Sequence, residues 1–504
     1  MNNMTTKTMN TDVLVAGTGG TGLAAAYAAV EKGLKVLVIE KQPQIGGNTK
    51  ISSGFFAINS KEQQAAGMHM STKEAIAELA SYNHYLSNGA LLARIVNSSA
   101  DTLAWLEGMG MEIKLNPTAN TTQFAHRDND YRGGSYHMYQ HKDESYQRVQ
   151  KTLEDAGVQF QFNTTLTDLT MADGKVTGAT ATTADGDDLI IKAQAVVVAT
   201  GGYGADAKKV AKTMHTPNLR TLGVPNAGEG MSAMVKAGAT DIDSHALIHA
   251  AQLAKSKVTQ KTSAKHLAGF SSNALTQLLL TPQLWVNMKG LRFTNEDVVY
   301  DTVEWANAAW SQGGKYLFIV DQATLDTFTV DQNSEEVSQA GPGAATGRGD
   351  FTKLAEEAVK GETAFKGNTL AELAHNAGLD TATFEKTVQA YNEAIHAKDD
   401  TEYSKSEKSL AYSVENGPFY AFISQAAYLG TVGGVRVDEN LAVLDDNFKP
   451  IPGLYTGGAN AGGYYEGHSY PAYEGLASGF TWTSGRIAGT SAADYIKNEA
   501  TVTN

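Results

Sequence analysis

The chain has 504 residues, 42% of them hydrophobic, which is enough apolar material for more than one core, and it contains no cysteine. The missing cysteines exclude disulfides, cysteinyl iron–sulfur clusters, thioether-attached haem and thiol nucleophiles within the chain. Forty Lys and Arg against 54 Asp and Glu give a net charge of −14, so no diffuse positive field is available to attract nucleic acid or anionic lipid.

The first ten residues, MNNMTTKTMN, lack the apolar stretch of a signal peptide, and no run approaches the roughly 18 apolar residues of a membrane span. A cytoplasmic enzyme with no membrane partner is expected. Residues 12–40 read as strand, glycine turn, helix and strand: DVLVAG, then LAAAYAAVEKG, then KVLVIE, with Gly33 suited to close the helix. That order makes a βαβ unit.

Residues 73–107 are patterned as helix, most clearly in ALLARIVNSSADTLAWLEGMG. From 157 to 200 the pattern changes to short strands with the turns ADGK and ADGD. These end in the apolar AVVVAT, as an inserted meander returning to a parallel sheet would. Between about 241 and 350 regular signals thin out, and the stretch closes on the soft tail GPGAATGRGD, which reads as a lid-like domain ending in a loop. LAELAHNAGLDTATFEKTVQAYNEAIHAKDD reads as two helices joined at AGLD, the second opened by a Thr or Asp cap. The strands GVRVD and LAVLD follow, then GLYTGGANAGG and a last helix through GFTWTSGRIAGTSAADYI.

Gly17, Gly19 and Gly22 stand in G-x-G-x-x-G spacing after a strand and at a helix start, and Glu40 ends the next strand. The glycines allow a tight turn, close approach of a pyrophosphate and close helix packing, and the acid suits a ribose hydroxyl. This is a dinucleotide fingerprint.

Three further stretches, GGNTKISSGFFA at 46–57, VVVATGGYG at 196–204 and PIPGLYTGGAN at 450–460, resemble the fumarate reductase and succinate dehydrogenase flavoprotein family. The resemblance implies an α/β protein whose Rossmann-like FAD-binding domain comes from two chain segments, 1–240 and 356–504, with an α+β capping domain at 241–355. It implies that Gly17, Gly19, Gly20, Thr21, Gly22, Glu40 and Lys41 meet the pyrophosphate and adenosine. Gly47, Asn48, Thr49, Lys50, Ser53 and Gly54 would lie beside the flavin, with Thr200, Gly201, Gly202 and Asn460 as later contacts. The helix start at Leu476 and Ala477 would turn its amides toward the flavin's developing charge. Covalent members carry a histidine near residue 49. None is present there, so noncovalent FAD is expected.

Fumarate-reducing members hold two carboxylates and donate a proton from arginine; here those positions are Tyr300, Gly430 and Ala472. Losing charge-assisted bonds of about 1.5–3 kcal/mol each makes dicarboxylates poor substrates. Tyr300 and Tyr470 match catalytic tyrosines of the 3-oxosteroid dehydrogenase branch, although Glu474 replaces a glycine used there. The whole pattern is similar to the soluble vinylphenol reductases of lactic acid bacteria, which draw electrons from NADH. The expected activity is reduction of an alkene in a hydrophobic, aromatic small molecule. The alternatives are a 3-oxosteroid dehydrogenase, and an electron-transfer flavoprotein subunit served by a partner.

In YYEGHSYPAYEG, residues 464–475, Tyr464, Tyr465 and Tyr473 line a pocket or pack a core, and His468 touches substrate or holds its loop. Glu474 reads as acid, cation ligand or helix cap. Arg292 in LRFTNE reads as an electrostatic neighbour of Tyr300 or as half of a salt bridge. His245 and His249 read as structural. No metal-ligating cluster is expected.

Overall fold

The computed structural model describes residues 6–116, 135–253, 275, 278–279, 281–300, 305–330, 350–465 and 473–502. Its centre is a six-stranded sheet in the order Ala442–Leu444, Pro450–Thr456, Ala195–Val198, Val13–Ala16, Val36–Ile39, Gln159–Gln161. The first of these is antiparallel to its neighbour and the other pairings are parallel. VLVA, VLVI and AVVV are buried along their whole length, as expected for strands covered on both faces. Strands far apart in the chain thus lie side by side, and their carboxyl ends open on one edge, where α/β sheets place ligands.

The helix Gly20–Glu31 crosses the helix Leu476–Val502 against this sheet. A Cβ at Gly489 would stand 2.2 Å from the Ala25 carbonyl oxygen, so the crossing requires glycine there. The expected meander is present as a four-stranded sheet of Thr164–Ala172, Lys175–Thr183 and Asp188–Lys192, with Thr6–Asn10 added in parallel at its edge. No strand was read in those first residues, because their side chains are polar and mostly exposed and only backbone pairing holds them.

A second body surrounds the 17-residue strand Phe419–Val435. This strand pairs with Arg220–Thr221, Asp241–Leu253, Lys315–Asp321 and Ala364–Gly367, and Leu284–Val286 continues the sheet beyond Lys315–Asp321. Separate apolar clusters cover its two faces, one around Trp285, Tyr316 and Phe422 and the other around Leu317, Phe384 and Tyr391. The second cluster includes the predicted helical pair, Leu370–Ala377 and Thr381–Ala397. Asp380 caps the latter by accepting from the Thr383 N–H at 2.9 Å. Residues on both sides of 355/356 pack in this body, Phe351 and Ala355 in the first cluster and the helical pair in the second. The long strand ends at Val435, and the chain rejoins the six-stranded sheet at Ala442–Leu444. The tail at 341–349 lies outside the described residues.

Candidate functional site

A cavity of about 310 Å³ opens at the carboxyl ends of Val13–Ala16, Val36–Ile39 and Ala195–Val198. Its floor is the turn of Gly17, Thr18 and Gly19 leading into the helix at Gly20. Gly22 cannot carry a side chain, because a Cβ would lie 1.9 Å from the Gly17 carbonyl oxygen. Gly19 is the opposite case: a Cβ there would meet nothing nearer than Thr49 Oγ1 at 3.8 Å. The space above this helix N-terminus is a cradle lined by backbone, the kind of site that takes a phosphate.

Of the predicted cofactor residues, Gly17, Gly19, Thr21, Glu40, Lys41, Gly47, Asn48, Thr49, Lys50, Thr200 and Gly201 line this cavity. Several of them also brace each other. Thr49 Oγ1 accepts from the Gly20 N–H at 2.9 Å, and Thr21 Oγ1 donates to the Thr481 carbonyl at 3.0 Å. Glu40 accepts from the Thr18 N–H at 2.9 Å and from the Gln42 N–H at 2.8 Å, which anchors its carboxylate at the sheet end. Asn460 accepts from the Gly202 N–H at 2.8 Å and donates to Thr200 Oγ1 at 3.1 Å, tying the returning segment to the cavity rim. Lys50 faces Asp143 at 2.8 Å.

Ser53 and Gly54 do not line the cavity; Gly54 belongs to a strand paired with Tyr136–Tyr139. Leu476 and Ala477 also lie off it, although Thr481, one turn further along their helix, is part of the wall. The remaining walls, Thr164 to Leu166, Ala199, and Val224, Asn226 and Glu229, were not predicted. Thr164 to Leu166 come from a meander strand and Val224 and Asn226 from an irregular segment, neither with a local ligand signature, whereas Ala199 follows Ala195–Val198 and Glu229 opens the helix Glu229–Lys236.

The tyrosine-rich run divides. Residues 466–472, including His468, Tyr470 and Ala472, lie outside the described residues. Tyr464 and Tyr465 are core residues. Tyr464 stacks on Phe480 with ring centroids 4.3 Å apart, and Tyr465 meets both rings edge-on. Burial holds the Tyr464 hydroxyl well above the ordinary tyrosine range. Tyr473 is fully buried beside Phe56 and donates its hydroxyl proton to Glu78, while Glu474 is buried at the start of the last helix. Of the two readings for Tyr464, Tyr465 and Tyr473, the packing is what these contacts describe: their rings belong to the apolar cluster that includes Leu476 and Phe480.

Arg292 is likewise structural. Its guanidinium forms two bonds to Glu296, at 2.9 and 2.7 Å, and one to Asp400 at 2.8 Å, all buried. Burial opposes its charge, but these carboxylates overcome that and raise its pKa. Lys405 adds a contact to Glu296 at 3.4 Å. Tyr300 ends the short 3-10 turn Glu296–Tyr300 that begins at this ion network; the position of its hydroxyl lies outside the description. His245 is buried on the cap strand Asp241–Leu253, and the side chain of His249 lies outside the description.

Near the missed Thr481, Tyr139 and Ser478 share a hydrogen bond of 2.6 Å, and Ser52 Oγ reaches Ser478 at 3.3 Å. Burial pushes the Tyr139 pKa up, so this hydroxyl stays protonated. Among the described residues no helix is long and apolar enough to cross a membrane, and no group of three or more His, Asp or Glu could hold a metal ion.

A protein-family model described as an FAD binding domain matches residues 12–471. The chain is 30% identical over 508 residues to a vinyl phenol reductase of Lactiplantibacillus plantarum, covering 98% of each chain. It is 28% identical to an NADH:fumarate oxidoreductase of Klebsiella pneumoniae over 91% of this chain, which is 45% of that relative. Among solved structures, the open conformation of a flavocytochrome c3 fumarate reductase matches with a TM-score of 0.69 and 25% identity, over 97% of this chain and 79% of that one.

Proposed function

Because the chain belongs to the FAD-binding-domain family of flavoprotein oxidoreductases, we propose that it reduces a carbon–carbon double bond in an uncharged aromatic small molecule of the vinylphenol type. The observation that carries this reading is the end-to-end similarity to the vinyl phenol reductase, with 98% of both chains aligned. The site's geometry supports it. The guanidinium of the LRFTNE segment is spent on Glu296 and Asp400, and position 430 is glycine, so neither offers a cation to a substrate carboxylate.

The cradle at Gly19 and the acid Glu40 suit the pyrophosphate and ribose of FAD, held without a covalent link. Bound FAD supplies the hydride. The chain's own task is to orient the alkene between the cavity and the cap and to provide a proton. Tyr300 is the proposed donor, because an unperturbed tyrosine, with a pKa near 10, carries its proton at neutral pH. Tyr470 is the proposed second hydroxyl. NADH is the proposed electron source, supported by the name of the Klebsiella relative; this chain spans less than half of that relative's length. A cytoplasmic location belongs to the same proposal.

The test is an anaerobic screen with the reduced holoenzyme, comparing 4-vinylphenol with fumarate. Oxidation of the flavin by the aryl alkene and not by fumarate is expected. Efficient formation of succinate would show that other residues rebuild an anion site, and would overturn the substrate class.

A further inference from the structure

Besides the sheet edge, the helix starts and the meander strand Thr164–Ala172, the cavity has one thin outer wall, residues 224–229, in which Pro225 and Ala227 are exposed. This outer piece is stapled to the opposite wall at both ends. Asn48 Oδ1 accepts from the Val224 N–H at 2.8 Å, and Glu229 pairs with Lys41 Nζ at 3.1 Å. All four residues line the cavity. Lys41 follows Glu40 at the end of Val36–Ile39, so the second staple lies where the fingerprint places the ribose. Glu229 also opens the helix Glu229–Lys236, whose far end is tied by Lys236 to Asp168 on the strand Thr164–Ala172.

A dinucleotide held between these walls leaves more readily where one of them can move. The sheet and the helix Gly20–Glu31 are built into the core, whereas residues 224–228 are irregular and, between the staples, are tied by the Ala205 N–H donating to the Asn226 carbonyl at 2.7 Å. We propose that residues 224–229 are a strap across the adenosine end of the FAD cavity, and that the Lys41–Glu229 ion pair is its clasp. Glu229 is then a positioning residue for cofactor retention. It acts by holding Lys41 and the strap, not through the reacting atoms. The inference rests on FAD binding alone and is independent of the alkene that the enzyme reduces.

The side chains of the pair are 22% and 30% exposed, so salt reaches the pair but screens it incompletely. In purified holoenzyme, Glu229→Gln should speed FAD release about three- to five-fold at low ionic strength, read from the rise in flavin fluorescence after dilution. Wild-type release should quicken with added salt while that of Glu229→Gln stays nearly flat, and Lys41→Gln/Glu229→Gln should release FAD no faster than Lys41→Gln. Lys175→Gln, which breaks a distant surface pair with Glu499, controls for general charge effects. Release from Glu229→Gln at the wild-type rate, the same salt dependence in both proteins, or additive effects in the double variant would overturn the proposal. Protein purified without FAD would overturn the cofactor assignment instead, so the two failures are distinct.

Discussion

Two alanine substitutions in one glycine turn should have opposite consequences. Gly19 has φ −65° and ψ 177°, which alanine adopts without strain, and its Cβ would face the cavity with 3.8 Å to the nearest atom. Gly19→Ala therefore restricts the unfolded chain at no cost to the empty fold, and should stabilise the apoprotein by about 0.4–1 kcal/mol. The same methyl occupies space that the pyrophosphate needs. An overpacking cost of about 1–3 kcal/mol on binding corresponds to roughly 5- to 150-fold weaker FAD. Gly22→Ala places its methyl 1.9 Å from a backbone oxygen that no rotamer can move. About 3 kcal/mol of overlap, less about 1 kcal/mol of helix propensity gained, leaves the apoprotein roughly 2 kcal/mol less stable. Urea denaturation of the apoproteins and fluorescence titration with FAD separate the two effects. The reasoning is refuted if Gly19→Ala binds FAD as tightly as wild type, or if Gly22→Ala leaves the apoprotein midpoint unchanged.

Four other outcomes are expected. Tyr300→Phe should lower alkene reduction by about 10²–10⁴ and leave reduction of the flavin by its donor almost unchanged, by stopped-flow absorbance of each half-reaction; if Tyr470→Phe alone abolishes alkene reduction, the roles are reversed. Acid precipitation should leave the yellow colour in the supernatant, and flavin fluorescence on a denaturing gel band would contradict noncovalent binding. Glu296→Ala removes one of the two carboxylates on buried Arg292 and the one facing buried Lys405, leaving two cations near Asp400, and should cost about 3–5 kcal/mol of stability in urea. In the same network burial alone would raise the Asp400 carboxyl, but the Arg292 bond and the amides of Tyr403 and Lys405 hold it below the usual carboxylate range. Its contribution is present above the unfolded value near pH 4 and is lost as pH falls through the lower folded value, so Asp400→Asn and wild type should converge in stability in acid.

The flavoprotein family was legible as a resemblance spread over separate stretches of the chain, and local chemistry was enough to determine the βαβ unit, the glycine turn with Glu40 and the helical pair capped at Asp380. Each of these local features rests on residues close in the chain: a turn that needs glycine, a helix face repeating every 3.6 residues, a cap three residues from its donor. Only the tertiary structure decided what Phe419–Val435 pairs with, because its partners lie at 220–221, 241–253, 315–321 and 364–367, and backbone pairing over such separations leaves no local mark. It also decided what the polar and aromatic side chains do. Arg292 could be read as a neighbour of Tyr300 or as half of a salt bridge, and its partner Asp400 stands 108 residues away; Tyr464 and Tyr465 could be read as pocket or core, and the ring they meet, Phe480, lies on the last helix. The outer wall of the cofactor cavity was invisible for the same reason: Glu229 acquires its role only when folding sets it 3.1 Å from Lys41.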